Sequence, residues 1–322
     1  MKIKILAIFL GLAMVSCYNE YVKDFDYTGV YFAYQTNVRT VVVGEGMKIE
    51  VGPALGGEMV NSRDRLVTMS LDNSLLTNGM LLAMQNSPVN SIKNYVTGLT
   101  MLTLLPADYY TMSGTSVTIK KGQNSAAVVI RPDSVKFLSD PGTLMAKYVL
   151  PLRIISADAD SVLRARNFTV IGLRYENMLF GNYIHGGVTI RKNASTGLSI
   201  DTVKYYTTIP QSDAKSWALT TVTPSQLVTN GISNIAGSFK ITLNGGSIVV
   251  SQAAGSTVVV QPDGVSTFNQ SKLLQNRKIF LSYKYANADG SIISYARDTL
   301  TFRNRIRDGV NEWLDENPVN YK

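Results

Sequence analysis

Residues 239–250 read FKITLNGGSIVV, and this stretch decides the fold class of the chain. Apolar and polar residues alternate over 239–243, and a short apolar run over 248–250 follows the Asn-Gly-Gly at 244–246, which is the pattern of two β-strands. Asn-Gly is a strong hairpin signal because both central residues of the tight turn need positive φ. Apolar segments at 279–285 and 292–300 flank a second turn at 287–290 in the same way. A run of hairpins with little helix predicts an up-and-down or lipocalin-like barrel for the C-terminal half.

The N-terminal half shows short strands of the same kind. Period-two alternation recurs at 47–51, 66–71 and 116–120, and turn signals separate the strands every 8–20 residues. This spacing without a long helix indicates an antiparallel β-sandwich. We therefore predict an all-β chain, with a sandwich over 29–176 and a barrel domain with a C-terminal tail over 181–322. One or two helical turns are expected over 73–85, and in the C-terminal half helix is expected only over 224–229 and in a few turns near the C-terminus.

The first residues carry an export signal. Lys2 and Lys4 precede an apolar run over 5–15, and Cys17 lies two residues after the end of this run. This is the layout of a signal peptide of residues 1–16. The run is well under the ~18–20 residues of a membrane-spanning helix. Met-Val-Ser-Cys at 14–17 is a loose bacterial lipobox, so we predict lipidation of Cys17, with an ordinary cleaved signal as the alternative. Stable anchoring needs at least two acyl chains, which a bacterial lipoprotein cysteine carries.

The predicted location follows from this anchor. Residues 17–28 lack periodicity and are interpreted as a lipidated tether. We expect the protein on the cell outer membrane, with the cell surface favoured. The acidic residues that follow Cys17 are separated by other residues rather than contiguous. They therefore do not decide between the outer and the periplasmic face of the outer membrane.

The charge and cysteine content argue against nucleic-acid binding and against stabilisation by a disulfide. The signal peptide holds two of the 31 lysine and arginine residues and no acid, so 29 basic residues face 23 acidic residues in the mature chain. The basic residues are not clustered, whereas nucleic-acid binding requires a basic patch; we expect no nucleic-acid partner. Cys17 is the single cysteine, so no internal disulfide forms and stability must come from burial.

Several segments of the sequence resemble a known family. LPADYY at 105–110, VTIKKG at 117–122 and YVLPLRI at 148–154 are similar to the N-terminal immunoglobulin-like domain of a Bacteroidota surface lipoprotein family. DTLTFRNR at 298–305 and DGVNEW at 308–313 are similar to its C-terminal partner, a lipocalin-like domain of unknown function. The resemblance implies a setting in cell adhesion or glycan uptake. In some relatives the N-terminal domain precedes a chitinase-type endoglycosidase barrel; none follows in this sequence, so we expect no activity inherited from those relatives.

The sequence offers no convincing catalytic or metal-binding set. A Ser-His-Asp triad needs a histidine base, and His185 is the single histidine. No G-x-S-x-G accompanies it, so it is interpreted as a strand histidine. A zinc site needs three or four nitrogen or sulfur ligands. We therefore predict no catalytic residues, no metal and no cofactor.

The C-terminal segment combines arginines with acids. Two acids near one another could serve glycoside hydrolysis, and Asp308 and Glu312 are the candidates for that alternative. Alternating arginines immediately before them favour a structural ion-pair network that fastens the tail, with a tryptophan packed beneath it. The predicted network consists of Arg303, Arg305, Arg307, Asp308, Glu312 and Trp313.

Aromatic residues are the remaining candidates for ligand binding, because sugar-binding proteins stack sugar faces on tryptophan or tyrosine. In the barrel domain these are Trp217, Tyr205, Tyr206 and Tyr183. Neighbouring residues of a strand point to opposite faces, so one of the pair Tyr205 and Tyr206 should lie outside the barrel core. The leading hypothesis is a non-catalytic lipoprotein that binds glycan or another extracellular ligand for an uptake or adhesion complex. The alternative is a structural protein with a protein partner.

Overall fold

The structure is a computed structural model that describes residues 27–205 and 215–315. It confirms the predicted all-β class: an immunoglobulin-like sandwich is followed by a small lipocalin-like barrel. The signal peptide, Cys17 and Tyr206 lie outside the described residues. No helix within the described ranges has the length and apolar character needed to cross a membrane.

The sandwich is built from twelve strands in three sheets. One layer is the sheet β2-β12-β10-β5-β8 with β6 beside β10, and the opposing layer contains the small sheets β11-β1-β4 and β3-β9-β7. The strands are β1 Gly29–Tyr31, β2 Thr36–Val42, β3 Ile49–Val51, β4 Ala54–Gly56, β5 Arg65–Leu71, β6 Thr103–Leu104, β7 Tyr110–Met112, β8 Ser116–Ile119, β9 Val128–Pro132, β10 Tyr148–Ala157, β11 Ser161–Val162 and β12 Phe168–Glu176.

The large sheet of the sandwich is covered on both faces. Alternate residues of β12 point to opposite sides: Ile171 packs into the core between the layers, whereas Val170 packs into a second core. That second core lies under the helices α1 Asn78–Gln85 and α2 Asn90–Val96, which contribute Met84 and Val96. A third helix, α3 Lys136–Ser139, is a single turn.

The barrel follows directly after β12. Eight antiparallel strands run in the order β13-β15-β16-β17-β18-β20-β21-β22, and pairing of β13 with β22 closes the ring. Closure leaves none of the eight strands at an open edge. The strands of this half are β13 Gly181–Asn193, β14 Ser199–Tyr205, β15 Lys215–Thr223, β16 Gln226–Thr229, β17 Phe239–Asn244, β18 Ser247–Gln252, β19 Val260–Pro262, β20 Ser266–Phe268, β21 Lys278–Ala286, β22 Ile292–Arg307 and β23 Val310–Glu312.

Two local predictions differ from the structure. The helix expected over 224–229 is wrong: β16 occupies Gln226–Thr229 and pairs with both β15 and β17. Barrel closure needs a strand at this position and overrides local preference. The β17–β18 hairpin forms, but Asn244 pairs with Ser247, so the turn residues are Gly245 and Gly246, one position later than Asn-Gly.

The two domains meet across buried ion pairs. Glu45, which follows β2, receives hydrogen bonds from Arg277 Nη2 at 2.6 Å and from Arg305 Nη1 and Nη2 at 2.9 and 2.6 Å. The Glu45 side chain is 4% exposed and both arginine side chains are 1% exposed. Nearby, the backbone N–H of Thr40 donates to the Asp308 carboxylate. These contacts fix the sandwich against the barrel.

Candidate ligand-binding site

A cavity of about 650 Å³ opens at one end of the barrel. This volume lies in the range of small-molecule sites, and barrel mouths are a common place for them. About half of its described lining residues are aliphatic, one is a tyrosine, and the others are polar. The lining includes Thr189, Arg191, Val203, Asn234, Ile235, Val258, Val259, Tyr285, Asn287, Ala288, Ile292 and Ser294.

The strands supply this lining through their period-two alternation. On β13, His185, Thr189 and Arg191 fall in phase, and Thr189 is buried at the base of the cavity. Arg191 lies nearer the rim, where its Nε donates to Asp201 Oδ1 of β14 at 2.7 Å. The guanidinium is therefore held in place by a neighbouring strand while 44% of its side chain stays exposed.

A hydrogen-bonded network lies beneath the cavity and reaches its lining at Thr189; we refer to this network as the floor. Thr189 Oγ1 lies 2.6 Å from the hydroxyl of Tyr205 and 2.5 Å from Ser233 Oγ. The backbone N–H of Ser233 donates to the hydroxyl of Tyr283 at 2.6 Å. Both tyrosine hydroxyls donate to Asp298, Tyr205 to Oδ1 at 2.7 Å and Tyr283 to Oδ2. Networks of this kind fix side-chain positions because each buried polar group is satisfied by another.

Asp298 controls the electrostatics beneath the floor. Its side chain has no exposed surface, and both carboxylate oxygens accept hydrogen bonds. Burial, together with the neighbouring Asp298 charge, raises the pKa of Tyr205 and of Tyr283. Both hydroxyls therefore stay protonated and act as donors toward the carboxylate.

His185 lies next to this carboxylate but is not part of the hydrogen-bonded network. Its ring stacks on Trp217 at 4.0 Å and on Tyr205 at 4.8 Å between centroids. Nε2 lies 3.2 Å from Asp298 Oδ2, yet within the described ranges neither ring nitrogen makes a hydrogen bond of acceptable geometry. The imidazole is thus held mainly by stacking.

The segment between β16 and β17 closes the barrel below the cavity. Ile232 is fully buried in the core, and Ser233 adopts a φ of +51°. A non-glycine residue in the left-handed region is strained and persists only when its surroundings hold it; here two tyrosine-linked hydrogen bonds do so. The floor is therefore rigid.

The sequence-predicted aromatic residues lie at different depths. Trp217 is 4% exposed and Tyr183 is fully buried, so both pack in the barrel core below the cavity. Gly231 makes the tryptophan position possible, because a Cβ at Gly231 would lie 2.3 Å from Trp217 Nε1. Tyr205 joins the floor, and Tyr206 lies outside the described residues. Their role in ligand binding stays a prediction.

The predicted ion-pair tail includes residues in different environments. Arg305 Nε donates to Glu312 Oε2 at 2.5 Å and Arg307 Nε to Glu312 Oε1 at 2.7 Å. Asp308 lies 3.2 Å from Arg39 Nε, and Arg303 is exposed. Trp313 differs from the expectation: it is 62% exposed rather than packed beneath the network, because the buried place beside Arg305 is taken by Glu45 and Phe180.

Sequence reasoning missed Asp298, Thr189, Ser233 and Tyr285. One signal for Asp298 was available, because it alternates in phase with the buried residues Ala296 and Leu300 of β22. A charged residue at an inward position of a small barrel indicates a special environment. Ser233 carried no such signal, since its position depends on the fold of a whole loop.

Residues 25–161 match a family model that describes an N-terminal domain. A crystal structure of a Bacteroides ovatus protein of unknown function is 22% identical, with a TM-score of 0.64 over 90% of this chain and 99% of that chain. A second one from the same organism is a multidomain protein including DUF1735, at 13% identity and a TM-score of 0.42, covering 89% of this chain and 100% of that chain. A search of curated proteins finds no match.

The family-model match supports the resemblance of the N-terminal domain to a family of unknown function. The first likeness shows that the order of sandwich and barrel also occurs in a solved structure. The second, with a TM-score below 0.5, adds no argument about this chain. No catalytic family emerges from the matches.

Proposed function

We propose that this chain is a non-catalytic binding protein that holds a glycan or another small extracellular ligand in the mouth of its C-terminal barrel. The observation that carries the proposal is the cavity of about 650 Å³ above a rigid hydrogen-bonded floor. Its aliphatic wall suits the apolar face of a ligand, and Arg191, Asn234 and Asn287 supply donors and acceptors at the rim. Such a combination is typical of specific small-molecule sites.

A binding role is favoured over hydrolysis by the state of the candidate catalytic groups. His185 is enclosed by Trp217 and Tyr205 and is 1% exposed. Glu312 is engaged by two arginines, and Asp308 lies against Arg39 and the backbone of Thr40. A hydrolase needs one carboxyl free to donate a proton and the other free to attack or activate water.

The first experiment tests the ligand with residues 18–322 on a glycan array and on polysaccharide affinity gels. We expect retention of at least one glycan class. Ala288→Trp, which fills the rim of the cavity, should abolish that retention, whereas Ala254→Trp, on an exposed turn outside the lining, should leave it unchanged. Failure to retain any ligand across host and plant glycans would contradict glycan binding.

The proposal also includes a lipid anchor at Cys17 that places both domains on the outer membrane beside an uptake or adhesion complex. Its support is the signal and lipobox sequence at 1–17. Membrane fractionation and intact mass should show a lipidated, membrane-bound mature form for the natural chain. A Cys17→Ala variant that stayed membrane-bound with an unchanged mature mass would show that the anchor is elsewhere.

A further inference from the structure

A second cavity, of about 770 Å³, lies between the two domains. Its sandwich side is formed by β2, by the residues that lead into β2, by the segment over 45–50 and by the start of α2. Its barrel side is formed by the turn between β22 and β23. We refer to it as the interdomain cleft. It is separate from the barrel mouth and shares no lining residue with it.

The walls of the interdomain cleft are fixed in advance of any ligand. Asp308, at the β22–β23 turn, receives the backbone N–H of Thr40 at 3.0 and 3.2 Å, and the Glu45 ion pairs join the domains at its base. Asp308 has a φ of +52°, a strained conformation for a non-glycine residue that the surrounding contacts maintain. A preformed cleft avoids the ordering cost of binding.

Arg39 is the unsatisfied group of the interdomain cleft. Its Nε lies 3.2 Å from Asp308 Oδ2, but that atom is buried without a hydrogen bond of acceptable geometry. Across 27–205 and 215–315, the Arg39 side chain donates no hydrogen bond; it is ion-paired with Asp308 through Nε alone, and 36% of it is exposed. Its terminal nitrogens therefore remain available to an external acceptor, and a guanidinium fork matches a carboxylate in two parallel hydrogen bonds.

The charges around the interdomain cleft leave room for one anion. Glu45 and Glu312 are each engaged by two arginines, and Glu50 lies 3.9 Å from Lys48. The lining of the cleft holds three cations and four carboxylates, and the two arginines that pair with Glu45 from beneath bring the balance to five cations against four carboxylates. The cations are Arg39, Lys48, Arg277, Arg305 and Arg307, and the carboxylates are Glu45, Glu50, Asp308 and Glu312.

Tyr34 provides an exposed aromatic ring in the same cleft as Arg39. Tyr34 lines the interdomain cleft with 69% of its surface exposed. It also lines a smaller adjoining cavity of about 110 Å³ together with Asn37 and Glu50. An exposed tyrosine ring flanked by amide, hydroxyl and carboxylate groups offers stacking and hydrogen bonding in one place, which suits a hydroxylated ring better than an aliphatic ligand.

The edge of β2 argues against a peptide as the occupant. An extended peptide would add to a sheet by bonding the free backbone groups of its edge strand. β2 is the end strand of its sheet, but the N–H of Val38 donates to Asn37 Oδ1 at 2.9 Å and the N–H of Thr40 donates to Asp308. Two successive outward donors are therefore already occupied by side chains.

We propose that the interdomain cleft binds a carboxylated saccharide, with the carboxylate on the terminal nitrogens of Arg39 and the sugar ring against Tyr34. This site goes beyond the ligand of the barrel mouth and does not depend on it. The acid group provides the charge selectivity, and the ring provides the contact area.

The test uses residues 18–322 and isothermal titration with an oligogalacturonate of defined length. We expect binding that weakens roughly tenfold or more in Arg39→Gln, because a hydrogen-bonded charge pair is lost. Arg39→Lys should recover only part of it, since an ammonium lacks the fork. Tyr34→Ala should also weaken binding, and as an exposed residue it leaves folding intact. Thermal unfolding checks that each variant is folded.

Matched controls separate this site from its alternatives. The methyl ester of the same oligosaccharide, which lacks the charge, should bind much more weakly. Ala288→Trp, at the barrel mouth, should leave oligogalacturonate binding unchanged. No binding at millimolar concentration, equal binding of the methyl ester, or indifference to both Arg39→Gln and Tyr34→Ala would overturn the proposal. Equal, Arg39-dependent binding of an oligoglutamate peptide would overturn the saccharide assignment in favour of an acidic peptide.

Discussion

Glu45 between the domains and Asp298 inside the barrel are two buried carboxylates that are satisfied in different ways. Glu45 is paired with the charges of Arg277 and Arg305. Asp298 is held by the neutral hydroxyls of Tyr205 and Tyr283. The junction thus depends on charge pairing and the barrel on hydrogen bonding.

Because of this difference, Glu45 is suited to holding the two domains together, whereas Asp298 is suited to supporting the floor of the candidate ligand site. A buried ion pair is costly to break because the remaining charge has no counter-charge, which suits a junction that must not move. Loss of one neutral donor beside a carboxylate carries a smaller penalty. The cavity at the barrel mouth lies directly above the second arrangement, so the groups nearest a ligand there are hydrogen-bonded hydroxyls rather than ion pairs.

The largest effect is expected from Glu45→Ala. It leaves two buried guanidinium groups short of their counter-charge, and we expect the free energy of unfolding to fall by about 3–5 kcal/mol. Urea unfolding followed by the fluorescence of buried Trp217 measures the change. Glu50→Ala, with a 60% exposed side chain at the neighbouring cleft, should change stability by less than about 0.5 kcal/mol. Equal effects for the two variants would mean that the junction is not held by charge.

Asp298→Asn should have a smaller effect. One tyrosine hydroxyl loses its acceptor while the shape of the side chain is kept, so we expect a loss of about 1–3 kcal/mol. Asp289→Asn, in an exposed hairpin turn, serves as the control for removing one acid. A loss as large as that of Glu45→Ala would remove the distinction between the two carboxylates.

Acid pH should affect the junction. Burial alone would raise the pKa of Glu45, but hydrogen bonds and charge from Arg305 and Arg277 outweigh it and hold the pKa below its ordinary value of 4.5. A lowered folded pKa means that the stabilisation is present above pH 4.5 and is lost as the pH falls through the folded value. The stability difference between the natural chain and Glu45→Gln should therefore shrink below pH 4.5, by at most about 1.4 kcal/mol per pH unit. A constant difference down to pH 3 would contradict this.

Alkaline pH should affect the barrel. Burial and the Asp298 charge raise the pKa of Tyr283 above its ordinary value of 10.0, so its contribution is present below pH 10 and is lost at higher pH, where the unfolded tyrosine ionises. Tyr283→Phe should cost about 1 kcal/mol at neutral pH and should lessen the decline above pH 10. Tyr34→Phe, on an exposed ring, should leave the stability at neutral pH unchanged. Unfolding midpoints of the natural chain and the variants, measured from pH 7 to 11, test this prediction.

The fold class could be predicted from the sequence because hairpin signals lie within short segments of the chain. The turns at 244–246 and 287–290 lie between segments whose apolar residues predict strands, and both hairpins form. The helix expected over 224–229 was wrong because six residues without clear periodicity can be either element, and only pairing with two neighbours makes them a strand.

The candidate sites were less accessible. Arg305 and Glu312 are seven residues apart, and a local pattern pairs them; Glu45 and Arg277 are 232 residues apart. No periodicity relates positions at that distance. The floor of the cavity likewise joins Thr189, Ser233 and Asp298 from separate segments, so only the closed barrel defines it.

His185 gives the barrel a built-in spectroscopic reporter. It is the single histidine of the 322 residues, and it stacks on Trp217 and Tyr205 directly beneath the cavity. An untagged sample has one imidazole to observe by proton NMR, and two neighbouring aromatic rings displace its resonances from the usual position. Any ligand that shifts Tyr205 alters these ring currents, so occupancy of the barrel mouth can be followed through a single unlabelled residue without touching the site.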